Sequence, residues 1–354
     1  TLDATDTVTD TGTYAYELES ESAMNVASIS FNSGAYGNFN WGAGDTLALS
    51  DSHAIATDTL IDAKSAQLLG SAGEDTFTVT DSNALDFTLG NRNLVKFDNV
   101  STVDALGNTD IVMGQVNQTW TLKGNEHLSG GNIDFEHIEV AQVVSGNASI
   151  DAGDTSGSGT DAFTVFGSGG VNAQGIDFSS VNSVTLDTTD TVTDNNTGTY
   201  AYELESDSAM NVLGISFSSG AFGNFNWGAG DTLALSGSHN IATDTLIDAK
   251  SAQLLGSAGE DTFTVTDSNA LDFTLGSQNL VKFDNVSTVD ALGNTDIVTG
   301  SNASDWLLTG TDNQATNNGI TFDGVESLIA NGGALQGHVG TDESYTVNSD
   351  GSVD

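Results

Sequence analysis

The chain is predicted to be all-β: a β-solenoid of the parallel β-helix kind, with stacked coils of about 20 residues. Three observations predict it: a long internal repeat, a shorter repeat of aromatic strands inside it, and a composition suited to short strands and tight turns. Leu60 to Gly90 recurs letter for letter as Leu246 to Gly276, and Asn93 to Val112 recurs at the same offset as Asn279 to Val298. The match holds through Trp120 and Trp306, then drifts by small insertions that pair Phe135 with Phe322 and Phe163 with Tyr345. The chain therefore reads as a first long repeat, 1–184, and an incomplete second, 185–354, continuous with it.

The shorter period is carried by aromatic residues flanked by Thr and β-branched residues. Tyr16, Phe77, Trp120, Phe163, Tyr202 and Phe263 follow one another at spacings of 61, 43, 43, 39 and 61. Each is followed by a second aromatic in an I-x-F or V-x-F segment, as at Phe31, Phe97, Phe135, Phe178, Phe217, Phe283 and Phe322. One spacing between the two anchors serves Tyr16 and Phe31, Trp120 and Phe135, Phe163 and Phe178, and Tyr202 and Phe217; Phe77 and Phe97 are further apart. A unit of about 40 residues with two anchors implies two coils of about 20 residues each.

Alternation at period two in TFTVT and KFDNV places one face inward and the other toward water, as in a half-buried strand. The expected core therefore holds Phe77, Phe97, Trp120, Phe135, Phe163, Phe178, Phe263, Phe283, Trp306 and Phe322. Helical periodicity is poor, and only Ile61 to Leu69, where Ala and Leu collect, suggests a short helix. The competing architecture is a tandem β-sandwich array, since each long repeat is long enough for two sandwiches. The short sub-repeat favours the solenoid.

Composition limits what such a chain can do. Hydrophobic residues make up 37%, too few for a helix bundle and too many for a disordered tail. There is no Cys and no Pro, so neither disulfides nor thiolate metal sites are available, and the turns fall to Gly, Asn and Asp. Six basic residues face 49 acidic ones, for a net charge of -43. Phosphate binding needs clustered Lys or Arg, so nucleic acid and anionic lipid are excluded as direct partners. Self-repulsion on this scale calls for screening by cations or salt. No long uninterrupted apolar run occurs, so no membrane insertion is expected. Thr1 opens inside a repeat without an initiator Met, and the chain is expected to be a piece or processed subunit of something longer.

The segments Gly70 to Val79 (GSAGEDTFTV), Gly175 to Val184 (GIDFSSVNSV) and Gly319 to Leu328 (GITFDGVESL) resemble those of giant bacterial β-strand-repeat surface proteins, the filamentous-haemagglutinin-like adhesins and biofilm matrix proteins. The resemblance covers nearly the whole chain at the level of motif and composition. It implies a right-handed parallel β-helix, an extracellular or cell-surface location, and a role in attachment, aggregation or a fibrous coat. The expected partners are other copies of the chain or adjacent repeats of its parent, since the ends of a solenoid are unpaired strand edges, and surface glycans if the loops of Trp41 and Trp227 recognise them.

Four features bear on chemistry. The spacing G-x-x-G-x-D-x-F at Gly70, Gly73, Asp75 and Phe77 recurs at Gly256, Gly259, Asp261 and Phe263, and more loosely at Gly157, Gly159, Asp161 and Phe163. It resembles the calcium nonapeptide of RTX proteins, which makes Asp75, Asp161 and Asp261 candidate calcium ligands. These copies are dozens of residues apart, however, and a Gly-Asp corner before a strand explains them as well. The insertion Tyr36 to Leu49 recurs as Phe222 to Leu235, so Trp41 and Trp227 are candidates to stack on a sugar ring, or else aromatic plugs under a loop. The run Thr5 to Thr13 alternates Thr with Asp but occurs once per long repeat, which suits a solvated edge and not an ice-binding array. A polysaccharide-cleaving enzyme would need recurring basic groups, yet Arg92 becomes Gln278, His127 aligns with Asn313 and His137 with Gly324. Lys64, Lys96 and His53 do recur, as Lys250, Lys282 and His239, at separations that suggest no triad. The chain is therefore expected to be non-catalytic.

Overall fold

The computed structural model describes residues 1–354 apart from 58, 91–93, 153–159, 168, 195–198, 244, 302–303, 338–351 and 354. Arg92, Gly157, Gly159 and Tyr345 thus lie outside the described residues. Strand accounts for 52% of the chain and helix for 2%, and the strands stack as the coils of a β-solenoid. The residues form two compact units, Thr1–Thr189 and Asp190–Asp354.

In the first unit the chain begins with β1 (Ala15–Ser20), β2 (Ala23–Val26), β3 (Ile29–Asn32), β4 (Thr46–Ala54), β5 (Leu60–Asp62) and β6 (Gln67–Leu69). It continues with β7 (Asp75–Asp81), β8 (Ala84–Leu89), β9 (Leu94–Asp98), β10 (Thr102–Asp104), β11 (Ile111–Gly114), β12 (Thr119–Gly124), β13 (His127–Gly130) and β14 (Ile133–Glu136). It ends with β15 (Val140–Val143), β16 (Ala148–Asp151), β17 (Ala162–Val165), β18 (Val171–Ala173), β19 (Ile176–Phe178) and β20 (Val181–Thr185).

These strands make two sheets. The first runs β3-β2-β1-β4-β6-β10-β14-β13-β12-β16-β20. The second runs β5-β9-β8-β7-β11-β15-β19-β18-β17. The chain alternates between them, and at intervals it overshoots and fills the gap by folding back. From β6 it crosses to β7, then returns antiparallel through β8 and β9 until β9 pairs in parallel with β5. The free side of β7 then takes β11 in parallel. The same manoeuvre is made by β12 to β14 on the first sheet and by β17 to β19 on the second.

This topology corrects the expected coil length. Ile111 pairs in parallel with Val140, and Val140 with Asp177, steps well beyond a coil of about 20 residues; the steps from Thr46 to Gln67 and from Thr232 to Gln253 come close to it. The paired aromatic anchors are the first and third strands of one three-stranded meander. Phe77 and Phe97, like Trp120 and Phe135, therefore sit two strands apart in the same sheet and do not mark successive coils. Tight turns make this possible. Ala27 and Ser28 both have positive φ (49° and 67°), as do Gln174 and Gly175 (51° and 82°), the backbone that two-residue hairpin turns require.

The core lies between the sheets. Strands β7 to β9 alternate buried and partly exposed positions, which brings Phe77 over Phe87 at 4.6 Å and carries Phe77 to within 6.4 Å of Phe135 on the opposite sheet. All ten residues expected in the core, Phe77, Phe97, Trp120, Phe135, Phe163, Phe178, Phe263, Phe283, Trp306 and Phe322, are at most 1% exposed. Each such side chain contributes about 1.5–3 kcal/mol by leaving water. The stretch Ile61 to Leu69 is not helical. It is β5 and β6 joined by a corner at Lys64 and Ser65, whose φ values are 50° and 62°.

The second unit repeats the scheme. Its meanders are Ala201–Ser206, Ala209–Val212 and Ile215–Ser218; Asp261–Asp267, Ala270–Leu275 and Leu280–Asp284; and Trp306–Leu308, Ala315–Asn317 and Ile320–Asp323. Among the described residues no helix is long and apolar enough to cross a membrane.

Candidate functional site

The Gly-Asp corners organise the turns that precede β7 and Asp261–Asp267. Asp75 is 1% exposed, and its carboxylate accepts hydrogen bonds from Ser71 N (2.6 Å), Ser71 Oγ (3.3 Å) and Gly90 N (3.0 Å). Asp261 does the same with Ser257 N (2.6 Å), Ser257 Oγ (3.3 Å) and Gly276 N (3.1 Å). Calcium needs several oxygens turned toward one point. Here the carboxylate oxygens already hold N–H and O–H donors, so the corner reading describes Asp75 and Asp261. Asp161, half-buried just before β17, accepts from Gln174 Nε2 and likewise ties its strand to the meander.

Behind each corner stands a column of carboxylates that the sequence motifs do not announce. Asp75 N donates to Asp110 Oδ1 at 2.7 Å, and Asp110 N donates to Glu139 Oε2 at 2.7 Å. In the second unit Asp261 N donates to Asp296 Oδ1 at 2.8 Å and Asp296 N to Glu326 Oε2 at 3.0 Å. Each carboxylate thus satisfies the strand-start N–H of the neighbouring rung, which would otherwise be a buried orphan donor. Asp110 and Asp296 are fully buried, and the Oδ2 of each has no hydrogen-bond partner among the described residues. Burial pushes the Asp110 carboxyl up to about 7 against the lowering effect of the Asp75 N–H, and the nearby charges of Asp75 and Glu139 push the same way as burial. Asp296, in the same setting, is pushed up to about 6. The available signal is the segment NTDIV, present at 108–112 and again at 294–298.

Trp41 and Trp227 do not present their rings to solvent. They are 3% and 2% exposed, which removes the surface a sugar would stack on and corrects that expectation. Trp41 Nε1 donates to Asp62 O at 2.9 Å, and Trp227 Nε1 donates to Asp248 O at 3.0 Å. Tyr16 and Tyr202 meet them edge-on at 5.8 Å. The recurring lysines close these pockets: Lys64 Nζ lies 5.0 Å from the Trp41 ring centre and bonds Phe39 O at 3.3 Å, and Lys250 repeats this on Trp227 at 5.1 Å and Phe225 O at 3.1 Å. Both lysines are corner staples.

One group of donors faces outward. Asp104, Glu136 and His137 bring two carboxylates and an imidazole together, with one atom of each within 4.8 Å of the others. His137 Nδ1 lies 2.8 Å from Asp104 Oδ1, and that contact raises the His137 pKa above its ordinary value. The backbone also revises one pairing. Leu128 opposes Phe135 as Ala315 opposes Phe322, so the counterpart of His127 is Gln314 and that of Glu126 is Asn313.

No family model, curated protein or solved structure matches the chain.

Proposed function

We propose that this chain is a non-catalytic structural or adhesive segment of a secreted bacterial surface or matrix protein, acting as a rigid spacer or fibre-forming unit. What supports this is the difference between what the two copies keep and what they lose. Phe77 and Phe263, Asp75 and Asp261, Asp110 and Asp296, Trp41 and Trp227, and Lys64 and Lys250 recur in the same packing roles. Several residues with reactive side chains do not: Arg92, His127 and His137 give way to Gln278, Gln314 and Gly324, although Lys96 and His53 recur as Lys282 and His239. Selection on a scaffold leaves that pattern, because each rung is stable only when it fits its neighbours.

Self-association belongs to this proposal because each rung is stable only when it packs on a neighbour. Analytical ultracentrifugation of the full chain tests this: mass should rise with protein concentration. A strict monomer at high concentration, with and without calcium, would remove the fibre-forming role. Turnover of an acidic polysaccharide that is lost in the Lys64→Met, Lys250→Met double variant would overturn the non-catalytic reading.

A further inference from the structure

The outward group in the first unit has the composition of a metal site. Asp104 ends β10 and Glu136 ends β14, and the two are direct partners in the parallel register, so both carboxylates leave the sheet on one face. His137 follows Glu136 with φ of 59°, a left-handed turn that brings its ring back over Asp104. An exposed His beside an Asp is ordinarily just an ion pair. Two further observations exceed that explanation.

The first is a second imidazole. His127 on β13 lies directly across from Glu136, so Asp104, Glu136 and His127 form a row over three adjacent strands. The Nε2 of His127 is buried and has no hydrogen-bond partner among the described residues. A buried imidazole nitrogen without a partner is costly unless something accepts or donates there.

The second is the internal control. The second unit keeps a carboxylate pair at the same register, Asp290 opposite Asp323. It has Gly324, φ 70°, where the first has His137, and Gln314 where the first has His127. Both imidazoles are therefore present in one copy and absent from the other. The backbone at this corner suits Gly, and a side chain there is held in a conformation that L residues adopt at a cost. For a ring whose side chain is 53% exposed, packing does not repay that cost.

We propose that Asp104, Glu136 and His137, with His127 beside them, bind a divalent first-row transition ion of the Zn²⁺ type, in the first unit only. Imidazole nitrogen with carboxylate oxygen is a ligand set for such borderline ions. Calcium and magnesium prefer oxygen alone. The dense negative charge of the surface raises the local concentration of any divalent cation, and the imidazoles supply the selectivity.

The test is calorimetric titration of Zn²⁺ into the full chain at neutral pH with a large excess of Mg²⁺ to occupy weak carboxylate sites. One Zn²⁺ per chain is expected. His137→Gly, which installs the backbone residue of the second unit and so preserves the corner, should weaken binding by more than the roughly 10–100-fold that loss of an outer partner costs. Glu136→Gln should weaken it as well. Ring nitrogen resonances of His137 should shift on adding Zn²⁺ while those of His53 and His239 stay in place. The proposal is overturned if wild type and His137→Gly bind Zn²⁺ with equal affinity and stoichiometry, or if no ion remains bound in the presence of Mg²⁺.

Discussion

The column Asp75, Asp110 and Glu139 and the outward group Asp104, Glu136 and His137 lie on neighbouring rungs of the first unit, yet they fare differently in the second. The column recurs atom for atom as Asp261, Asp296 and Glu326, with hydrogen bonds of 2.8 and 3.0 Å where the originals are both 2.7 Å. The outward group keeps its carboxylates and loses its imidazoles. Inside a solenoid each side chain is fixed by the rung above and the rung below, so a change must be accommodated by both neighbours at once. An outward side chain escapes that double constraint, although exposed Leu60 and Leu106 also recur, as Leu246 and Leu292. An outward residue that changes between the copies is therefore where a role outside the fold is to be sought.

The largest test of that division is in the core. Phe77→Ala and Phe263→Ala should each destabilise the protein by about 3–5 kcal/mol, read from urea unfolding, because both rings are 0% exposed and stack on a partner, Phe87 or Phe273, at 4.6 and 4.5 Å. His137→Gly should change stability by less than about 0.5 kcal/mol in the same assay. Equal losses at the inner and outer positions would break the comparison.

A pH titration sharpens it. Asp110 and Asp296 hold their protons more tightly when folded than when unfolded. The folded state thus binds more protons than the unfolded chain between the ordinary Asp value and about 7 for Asp110, or about 6 for Asp296. Their contribution to stability is complete below the ordinary value and is lost as pH rises through that window. Asp110→Asn keeps an oxygen to accept from Asp75 N and carries no charge. It should flatten the fall in melting temperature between acid and neutral pH and stabilise the protein at alkaline pH, with Asp296→Asn giving a smaller change in the same direction. Unchanged pH profiles in both variants would show that these carboxyls are already solvated.

Much of the fold is legible in the sequence. The copies, the two-residue alternation and the aromatic anchors mark the strands and every expected core ring, because burial on one face of a strand is a property of local pattern. The path between rungs is not legible. Phe77 and Phe97 look the same whether the chain between them runs once around the coil or folds back through Ala84–Leu89, and only the hairpin turns separate the two cases. Those turns are readable at Gln174-Gly175 and Asn318-Gly319, where a residue of positive φ precedes Gly, but Ala27-Ser28 adopts the same backbone without any such signature. Apart from the recurrence of NTDIV, Asp110 and Glu139 carry no local mark of their role, because it depends on a partner 35 or 29 residues away, at an offset that the meander alone determines.

A smaller loss than in the core is expected at the lysine staples, where the recurring and outward classes meet. Lys64 and Lys250 recur like core residues although each carries a charge at the surface end of its pocket. If their role is to cap Trp41 and Trp227, Lys64→Met should keep the aliphatic stem over the ring and lose the ammonium's attraction to the ring face together with its bond to Phe39 O. The loss should be about 1 kcal/mol, with the same loss for Lys250→Met, and Trp fluorescence should shift to longer wavelength as water reaches the indole. A cost confined to one copy would place that lysine with His137, among the outward residues where a role outside the fold is to be sought.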